Sequence, residues 1–226
     1  EAAKKFKVKH LILGSSSSVY GANLKMPFTE IEKADTQLTI YAATKKANES
    51  LAHSYSHLWK IPTTMFRFFT VYGPWGRPDM SYFKFTKSIL SGQKIDVYNH
   101  GNMSRDFTYI DDLVSAIRLL IDVNPSRSDR TIESRGANDS KSLVAPFRLV
   151  NIGNSQPEQL SDFILALEKS LGVKAGKNFM QMQPGDVPAT WADTRLLKQL
   201  TGYQPKTKIV DGVTRFVDWY RNYYSV

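Results

Sequence analysis

Tyr41 and Lys45, two residues of types that can move a proton, lie four positions apart in the segment Ile40–Lys46. If that segment is helical, both side chains leave the same face of the helix, one turn apart. An ammonium group beside a phenol stabilises the phenolate, so the pair predicts an acid–base device. The same spacing also fits an ordinary helix in which the tyrosine is half in the core and the lysine is solvated.

A run of serines upstream favours the chemical interpretation. Ser15 to Ser18 follow the apolar stretch Leu11–Leu13, whose pattern predicts a buried parallel strand, and Tyr20-Gly21 then predicts a turn. Open α/β sheets bind their ligands at the carboxyl ends of parallel strands. The run therefore predicts a set of hydroxyl groups at a ligand site.

The composition limits the class of protein. With 226 residues, 42% of them hydrophobic and 12% aromatic, the chain is globular and can bury one core, or one large and one small lobe. The absence of cysteine excludes disulfides, thiolate catalysis and zinc sites built on cysteine. The four histidines form no ligand pattern, so we predict no metal site.

The net charge of +9 would suit a nucleic-acid partner, but the lysines and arginines are scattered and form no basic block. An anionic small substrate fits the same charge at least as well. No apolar run approaches the ~20 residues of a membrane span, and no signal peptide is visible. We therefore expect no nucleic-acid partner, no membrane contact by this chain, and a cytoplasmic location.

Periodicity and chain-breaking residues predict alternating strands and helices. The predicted strands are Val8–Leu13, Thr63–Phe69, Ile95–Tyr98 and Arg148–Ile152. The predicted helices are Tyr41–Trp59, Asp79–Ser91, one opened by Asp111 and Asp112, Gln156–Leu171 and Ile209–Tyr224. The polar stretch 122–146 predicts a flexible surface loop.

Four motifs carry a resemblance to a known family. They are Ser15–Gly21, Tyr41–Glu49, Arg67–Met80 and Gln183–Thr190. The first three resemble the extended short-chain dehydrogenase/reductases of the nucleotide-sugar epimerase and dehydratase branch. All four together look like the UDP-glucuronate 4-epimerases, and the likeness covers essentially the whole chain apart from 122–146.

The resemblance implies an α/β fold containing the carboxyl-terminal part of a Rossmann-like doubly wound parallel sheet and a small α/β substrate lobe. Residues 1–72 and 106–153 would form the second half of the NAD-binding domain, and 73–105 and 154–226 the UDP-sugar lobe. No G-x-x-G-x-x-G occurs in the chain. The sequence therefore looks like the carboxyl-terminal two thirds of a longer enzyme. The family also implies a homodimer formed through the Tyr41 helix.

The resemblance implies an isomerase that interconverts UDP-glucuronate and UDP-galacturonate through a 4-keto intermediate, using NAD. Tyr41 would take the proton of the sugar 4-hydroxyl, and Lys45 would hold the nicotinamide ribose. Ser16 matches the family's hydroxyl at the 4-oxygen, and Phe68 joins Tyr41 and Lys45 in the NAD contact set. A hydroxyl bound to the backbone of its own turn is the structural alternative for Ser16.

The substrate contacts implied by the family fall into two groups. Arg77 is the candidate cation for the sugar carboxylate, and its hydroxyl partners are Thr70, Ser17 and Ser18. Arg105 matches a diphosphate contact, and the other nucleotide contacts are Tyr98 over the uracil and Asp186 near the ribose. Each of these residues also has a purely structural interpretation.

Two absences separate reactions within the branch. The dehydratases carry an Asp-Glu pair just after the catalytic hydroxyl, and the decarboxylases carry a glutamate just before Val-Tyr-Gly. This chain has Ser17 and Ser18 there, which favours epimerisation. A 4-epimerase of another UDP-hexose and a non-catalytic fragment that binds a nucleotide sugar remain the alternatives.

Overall fold

The computed structural model describes residues 1–125 and 139–226. Its helices are α1 (Ala2–Lys5), α2 (Ile40–Trp59), α3 (Ser81–Leu90), α4 (Ile110–Ile121), α5 (Leu160–Leu171), α6 (Arg195–Thr201) and α7 (Ile209–Tyr224). Its strands are β1 (Leu11–Gly14), β2 (Thr63–Phe68), β3 (Thr70–Tyr72), β4 (Ile95–Val97), β5 (Ser104–Tyr109), β6 (Phe147–Ile152), β7 (Pro157–Gln159), β8 (Lys177–Phe179) and β9 (Ala189–Thr190). The predicted α/β class is confirmed.

A parallel sheet of order β1-β2-β6 forms the first layer of the fold. The central strand β2 is almost wholly buried, as expected for a parallel strand covered on both faces. On one face Phe66 packs with Leu113 and Leu120 of α4. On the other face Met65 packs with Ala52 of α2. The two helices therefore cover opposite sides of the sheet whose strand ends carry the serine run.

A second sheet is built around β5, which pairs in parallel with β3 and β9 and antiparallel with β7. The strand β5 was not predicted, because Ser104, Arg105 and Asp106 open it without an apolar pattern. The predicted start of the following helix, Gln156, is too early. Residues Pro157–Gln159 pair with β5 instead, so α5 begins at Leu160.

The second core lies among α3, α5, α7 and the two-stranded parallel sheet β4-β8. It is rich in aromatic rings: Phe107 stacks on Phe163 at 4.4 Å, and Tyr82 meets Phe216 edge-on at 4.9 Å. Rings in these arrangements add to the stabilisation from burial alone. The predicted helix Ile209–Tyr224 is confirmed as α7, and its buried face lines this core.

Several predicted bounds are corrected by one to three residues. The first strand is Leu11–Gly14 and not Val8–Leu13, and the helix predicted at Asp79–Ser91 is the shorter α3. Tyr98 does not end a strand, since it begins a 3-10 turn, Tyr98–Gly101. Most of the predicted flexible loop 122–146 lies outside the described residues. No helix in the described part of the chain is long and apolar enough to cross a membrane.

Candidate active site

Two adjoining cavities form a cleft between the β1-β2-β6 sheet and the second core. The large cavity, of about 600 Å³, is lined mainly by α3, β4 and β5, and the small cavity, of about 170 Å³, by the serine turn and the 185–190 segment. Thr70, Arg105 and Asp186 line both cavities, which makes the cleft continuous. Its large part is of the size that proteins use for small-molecule ligands.

Five hydroxyl-bearing residues line the small cavity: the predicted contacts Ser17, Ser18 and Thr70, together with Thr39 and Thr190. Ser17 and Ser18 lie in a 3-10 turn, Ser17–Tyr20, that begins three positions after the end of β1, and Thr70 opens β3 after β2 ends. Because β1 and β2 are parallel neighbours, their carboxyl ends meet at one edge of the sheet. The structure thus brings together hydroxyls that lie more than fifty positions apart in the sequence.

Ser16 caps this turn. Its Oγ accepts a hydrogen bond from the Ser18 amide at 3.2 Å and donates one to the Ser18 Oγ at 3.1 Å. Ser16 is buried, and it does not line either cavity. The structure therefore gives Ser16 the capping contact considered above as its alternative, and its catalytic role stays a prediction.

Tyr41 and Lys45 lie in the first turns of α2, as the spacing predicts. Thr39 caps the helix by accepting a hydrogen bond from the Ala42 amide at 3.1 Å. The Lys45 Nζ lies 5.8 Å from the centroid of the Tyr41 ring and donates to the carbonyl of Gly14 at 3.3 Å. Tyr41 is 50% exposed, and neither Tyr41 nor Lys45 lines either of the two cavities.

Phe68 ends β2 beside the end of β1. A Cβ added to Gly14 would lie 3.2 Å from the Phe68 ring, so glycine allows the ring to lie against the backbone. Gly14 is exposed on its other side. This strand end is an accessible apolar surface next to Lys45.

Arg105 and Asp186 form the charged wall shared by the two cavities. Arg105 Nη2 donates to the Asp186 Oδ1 at 2.7 Å, and its Nη1 donates to the carbonyls of Ser104 and Pro188. Burial lowers the pKa of Arg105 below its ordinary value, although Asp186 opposes the effect. The guanidinium remains charged and is held in one orientation.

Asp106, to which the sequence assigned no role, lies next to Arg105 and connects this wall to two distant segments. Its buried carboxylate accepts hydrogen bonds from the amides of Asn154 at 2.6 Å, Ser155 at 3.0 Å and Ala192 at 3.0 Å. Burial raises the pKa of Asp106, although these amide donors oppose it. The sequence around Asp106, between Arg105 and Phe107, did not indicate this role, because the three amide donors come from distant segments.

The other two predicted substrate residues differ in placement. Tyr98 lines the large cavity, on the 3-10 turn after β4. Arg77 is 71% exposed, pairs with Asp79, and does not line either cavity.

The part of the chain that the structure describes contains no group of three or more His, Cys, Asp or Glu residues arranged to hold a metal ion.

Residues 1–132 match the model of the NAD dependent epimerase/dehydratase family. The chain belongs to this family. The match includes the serine turn, α2 and Arg105, whereas Asp186 comes from the carboxyl-terminal segment beyond it. The resemblance drawn from the motifs is confirmed at this level.

Relatives in the NAD dependent epimerase/dehydratase family include the probable UDP-glucuronate 4-epimerase of Rhizobium meliloti, which is 54% identical over 99% of this chain and 65% of its own. Protein CapI of Staphylococcus aureus is 53% identical over 100% of this chain and 67% of its own. The UDP-glucuronic acid 4-epimerase of Bacillus cereus, solved with UDP-glucuronic acid and NAD, matches with a TM-score of 0.82 at 31% identity, over 99% of this chain and 65% of that chain. The chain spans about two thirds of the length of these proteins.

Proposed function

We propose that the chain carries the acid–base and substrate-binding part of an NAD-dependent UDP-glucuronate 4-epimerase. The observation that carries the proposal is the small cavity, in which the hydroxyls of Ser17, Ser18 and Thr70 adjoin the Arg105 guanidinium. Hydroxyl donors suit a sugar carboxylate, and a guanidinium suits a diphosphate. The relatives named above, one of them solved with UDP-glucuronic acid and NAD, support the same substrate.

Proton transfer is the task we assign to Tyr41. Its Oη would take the proton from the sugar 4-hydroxyl and return it to the 4-oxygen after the sugar has turned over. Lys45 lies beside this tyrosine, with its Nζ 5.8 Å from the centroid of the Tyr41 ring. A positioned general base of this kind contributes about 10²–10⁴-fold to a rate.

The residues present fit NAD on the β1 side of the cleft. Tyr41 is half exposed, Lys45 reaches the end of β1, and Gly14 offers bare backbone beside the Phe68 ring. When bound, NAD supplies the acceptor and then the donor of the C4 hydride. The contribution of this chain is to hold the ribose with Lys45 and to set Tyr41 beside it.

The sugar carboxylate needs a firm hold, since a 4-keto uronic acid is a β-keto acid and can lose carbon dioxide. Ser17, Ser18 and Thr70 supply up to three hydroxyl donors on one side of the small cavity. Arg77 would add a cation by leaving its exposed pair with Asp79, a contact that contributes little to stability. The proposed order of importance is therefore the hydroxyls first and Arg77 second.

The nucleotide would occupy the large cavity. Arg105 faces it as the diphosphate ligand, and Tyr98 and Asp186 line it as the proposed uracil and ribose contacts. The Arg105–Asp186 bond of 2.7 Å keeps the guanidinium in place before the ligand arrives, which reduces the ordering cost of binding.

We further propose a homodimer formed through α2. The helix exposes Ile40, Leu51 and Leu58 by 84%, 59% and 63%, and an apolar face of this kind favours association. Light scattering coupled to size exclusion would measure the mass, and a monomer at all concentrations would contradict the proposal.

The test of the proposed function is an NMR time course of UDP-glucuronate with this chain and NAD, observed at the sugar H1 and H4 signals. We expect UDP-galacturonate to appear, and turnover to fall in Ser17→Ala and Ser18→Ala but not in the matched control Ser54→Ala, whose hydroxyl bonds the Ser50 carbonyl on α2. Binding of UDP-glucuronate without turnover would refute catalysis by this chain alone. Equal turnover of UDP-glucose would favour another UDP-hexose.

A further inference from the structure

Two buried charged residues belong to the quoted motifs but have no part in the chemistry above. Glu49 ends the Tyr41–Glu49 motif, and Arg67 begins the Arg67–Met80 motif. Their side chains are only 4% and 1% exposed. Burying an ion pair costs several kcal/mol per ion before its attraction is counted, so such a pair is weak evidence for a stabilising role.

The pair has a fixed geometry. Arg67 Nε donates to Glu49 Oε1 at 2.9 Å, and its Nη2 donates to Glu49 Oε2 at 2.8 Å. Two parallel bonds of this kind set both the distance and the relative orientation of the groups. The Nη1 of Arg67 is buried and makes no hydrogen bond among the described residues, and an unsatisfied buried donor is unfavourable.

The Glu49 carboxylate also binds the start of the serine turn. Ser15 Oγ donates to Glu49 Oε1 at 2.7 Å, while the Ser15 amide donates to the Phe66 carbonyl of β2 at 2.7 Å. One carboxylate thus joins α2, β2 and the residue immediately before Ser16.

Arg67 holds the far end of the same turn. Its guanidinium lies 4.6 Å from the centroid of the Tyr20 ring, a cation–π contact, and Tyr20 donates its hydroxyl to Asn151 Oδ1 of β6 at 2.8 Å. Ser15 and Tyr20 bracket Ser17 and Ser18, two of the residues that line the small cavity. We call Ser15, Tyr20, Glu49, Arg67 and Asn151 the buried hub.

A second link connects α2 to the same strand end. Lys45, one turn before Glu49, donates to the Gly14 carbonyl at 3.3 Å. Adjacent residues, Gly14 and Ser15, are therefore held by two successive turns of one helix. Such a double attachment restricts rotation of α2 relative to the serine turn, and Tyr41 is carried on that helix.

We propose that Glu49 and Arg67 are positioning residues, which fix the serine turn against the helix that carries Tyr41 and Lys45. The inference rests on the proposed function of those groups. The ion pair fixes the orientation of the serine turn relative to α2. An apolar pair of similar volume would not fix that orientation.

The test compares Glu49→Gln and the double variant Glu49→Gln/Arg67→Met with the unsubstituted chain. The matched control is Glu168→Gln, because Glu168 is also buried, lies on α5, and binds Lys177 and the Ala175 amide, neither of which belongs to the hub or the serine turn. Two quantities are measured: the urea midpoint and the native-state exchange rates of three amides. These are the Ser15 amide, bonded to the Phe66 carbonyl, and the Ser18 and Val19 amides, bonded to Ser16.

We expect Glu49→Gln to speed exchange of these amides by at least about tenfold, and Glu168→Gln to leave them unchanged. The double variant should recover the urea midpoint, because replacing both members of a buried ion pair by neutral residues is often tolerated. Exchange of the three amides should stay fast in it. Recovery of slow exchange together with stability would overturn the proposal, as would equal acceleration in Glu168→Gln. If Glu49→Gln does not fold, the same exchange rates are measured in Ser15→Ala, which removes the hydrogen bond from Ser15 to Glu49.

Turnover separates this proposal from the proposed function. In a chain that epimerises UDP-glucuronate, Glu49→Gln should lower kcat by at least about tenfold with KM changed by less than about twofold, because the nucleotide contacts lie on the other wall of the cleft. A rise in KM alone would overturn the positioning role. If the unsubstituted chain shows no turnover, the proposed function is contradicted. The amide exchange rates alone then test the positioning role of Glu49 and Arg67.

Discussion

Glu30 makes the stability of this protein depend on pH in an unusual direction. Its side chain is 6% exposed, and its Oε1 accepts a hydrogen bond from the Asn151 amide at 2.8 Å. Burial raises the pKa of Glu30 from 4.5 to about 7; the nearby Asp193 carboxylate adds to the effect, and the Asn151 donor opposes it. The folded state therefore favours the neutral carboxyl.

The magnitude follows from linkage. A pKa difference of about 2.5 between the folded and unfolded states corresponds to about 3 kcal/mol. The folded state binds the proton more tightly, so this contribution is fully present below about pH 4.5 and is lost as the pH rises through about 7. Glu30→Gln keeps a neutral side chain at every pH and should remove the dependence.

The assay is urea denaturation of the unsubstituted chain and of Glu30→Gln at several pH values between about 4.5 and 8. We expect similar free energies of unfolding at the acidic end and a variant more stable by about 3 kcal/mol at the alkaline end. The difference between the two proteins is the informative quantity, because other titrating groups contribute equally to both.

Glu168→Gln supplies a control of opposite sign. Burial opposes the charge of Glu168, but hydrogen bonds from Lys177, the Ala175 amide and Lys174 outweigh it and lower the pKa of this carboxyl. Its contribution is present above about pH 4.5 and is lost as the pH falls, so this variant should be the less stable protein at neutral pH. A difference between Glu30→Gln and the unsubstituted chain that stays constant with pH would refute the reasoning.

Three further predictions concern single contacts. Gly212→Ala should lower the free energy of unfolding, measured by urea denaturation, by about 1–3 kcal/mol, although alanine has the better helix propensity. The reason is that the new Cβ would lie 2.1 Å from the Tyr72 hydroxyl, and a gain in stability would contradict it. Tyr203→Phe should cost about 2 kcal/mol by the same measurement, because Tyr203 donates to Asp112 at 2.7 Å, and an unchanged midpoint would show that the bond contributes nothing. Tyr41→Phe should lower epimerisation at least about 100-fold by NMR while the calorimetric Kd for UDP changes less than about twofold, and retained turnover would exclude Tyr41 as the base.

The site predicted from the sequence is partly reassembled by the structure. Ser17, Ser18 and Thr70 line one cavity, as expected of polar residues that follow neighbouring parallel strands. Tyr41 and Lys45 share a helix face, which their spacing alone predicts. The roles of these residues stay predictions. Five predicted site residues line neither cavity, and their spacing in the sequence could not show this: Ser16, Tyr41, Lys45, Phe68 and Arg77.

The secondary structure, too, could be predicted only where the sequence has a local pattern. Long elements with clear periodicity, such as α2 and α7, were predicted nearly to the residue. The short strands β5, β7 and β9 were missed because each is held mainly by pairing with a distant segment. A strand of two to six residues with polar side chains has no local pattern that separates it from a loop.

The sequence by itself determined the α/β class, the family and the identity of the groups able to do chemistry, since these depend on local periodicity and on ordered motifs. Only the tertiary structure decided which charges are buried together. Glu49 with Arg67, Asp106 with three amides, and Glu30 with Asn151 each join segments far apart in the chain. A charge is tolerated in the interior only where the fold supplies its partners, and no local pattern records where those partners come from.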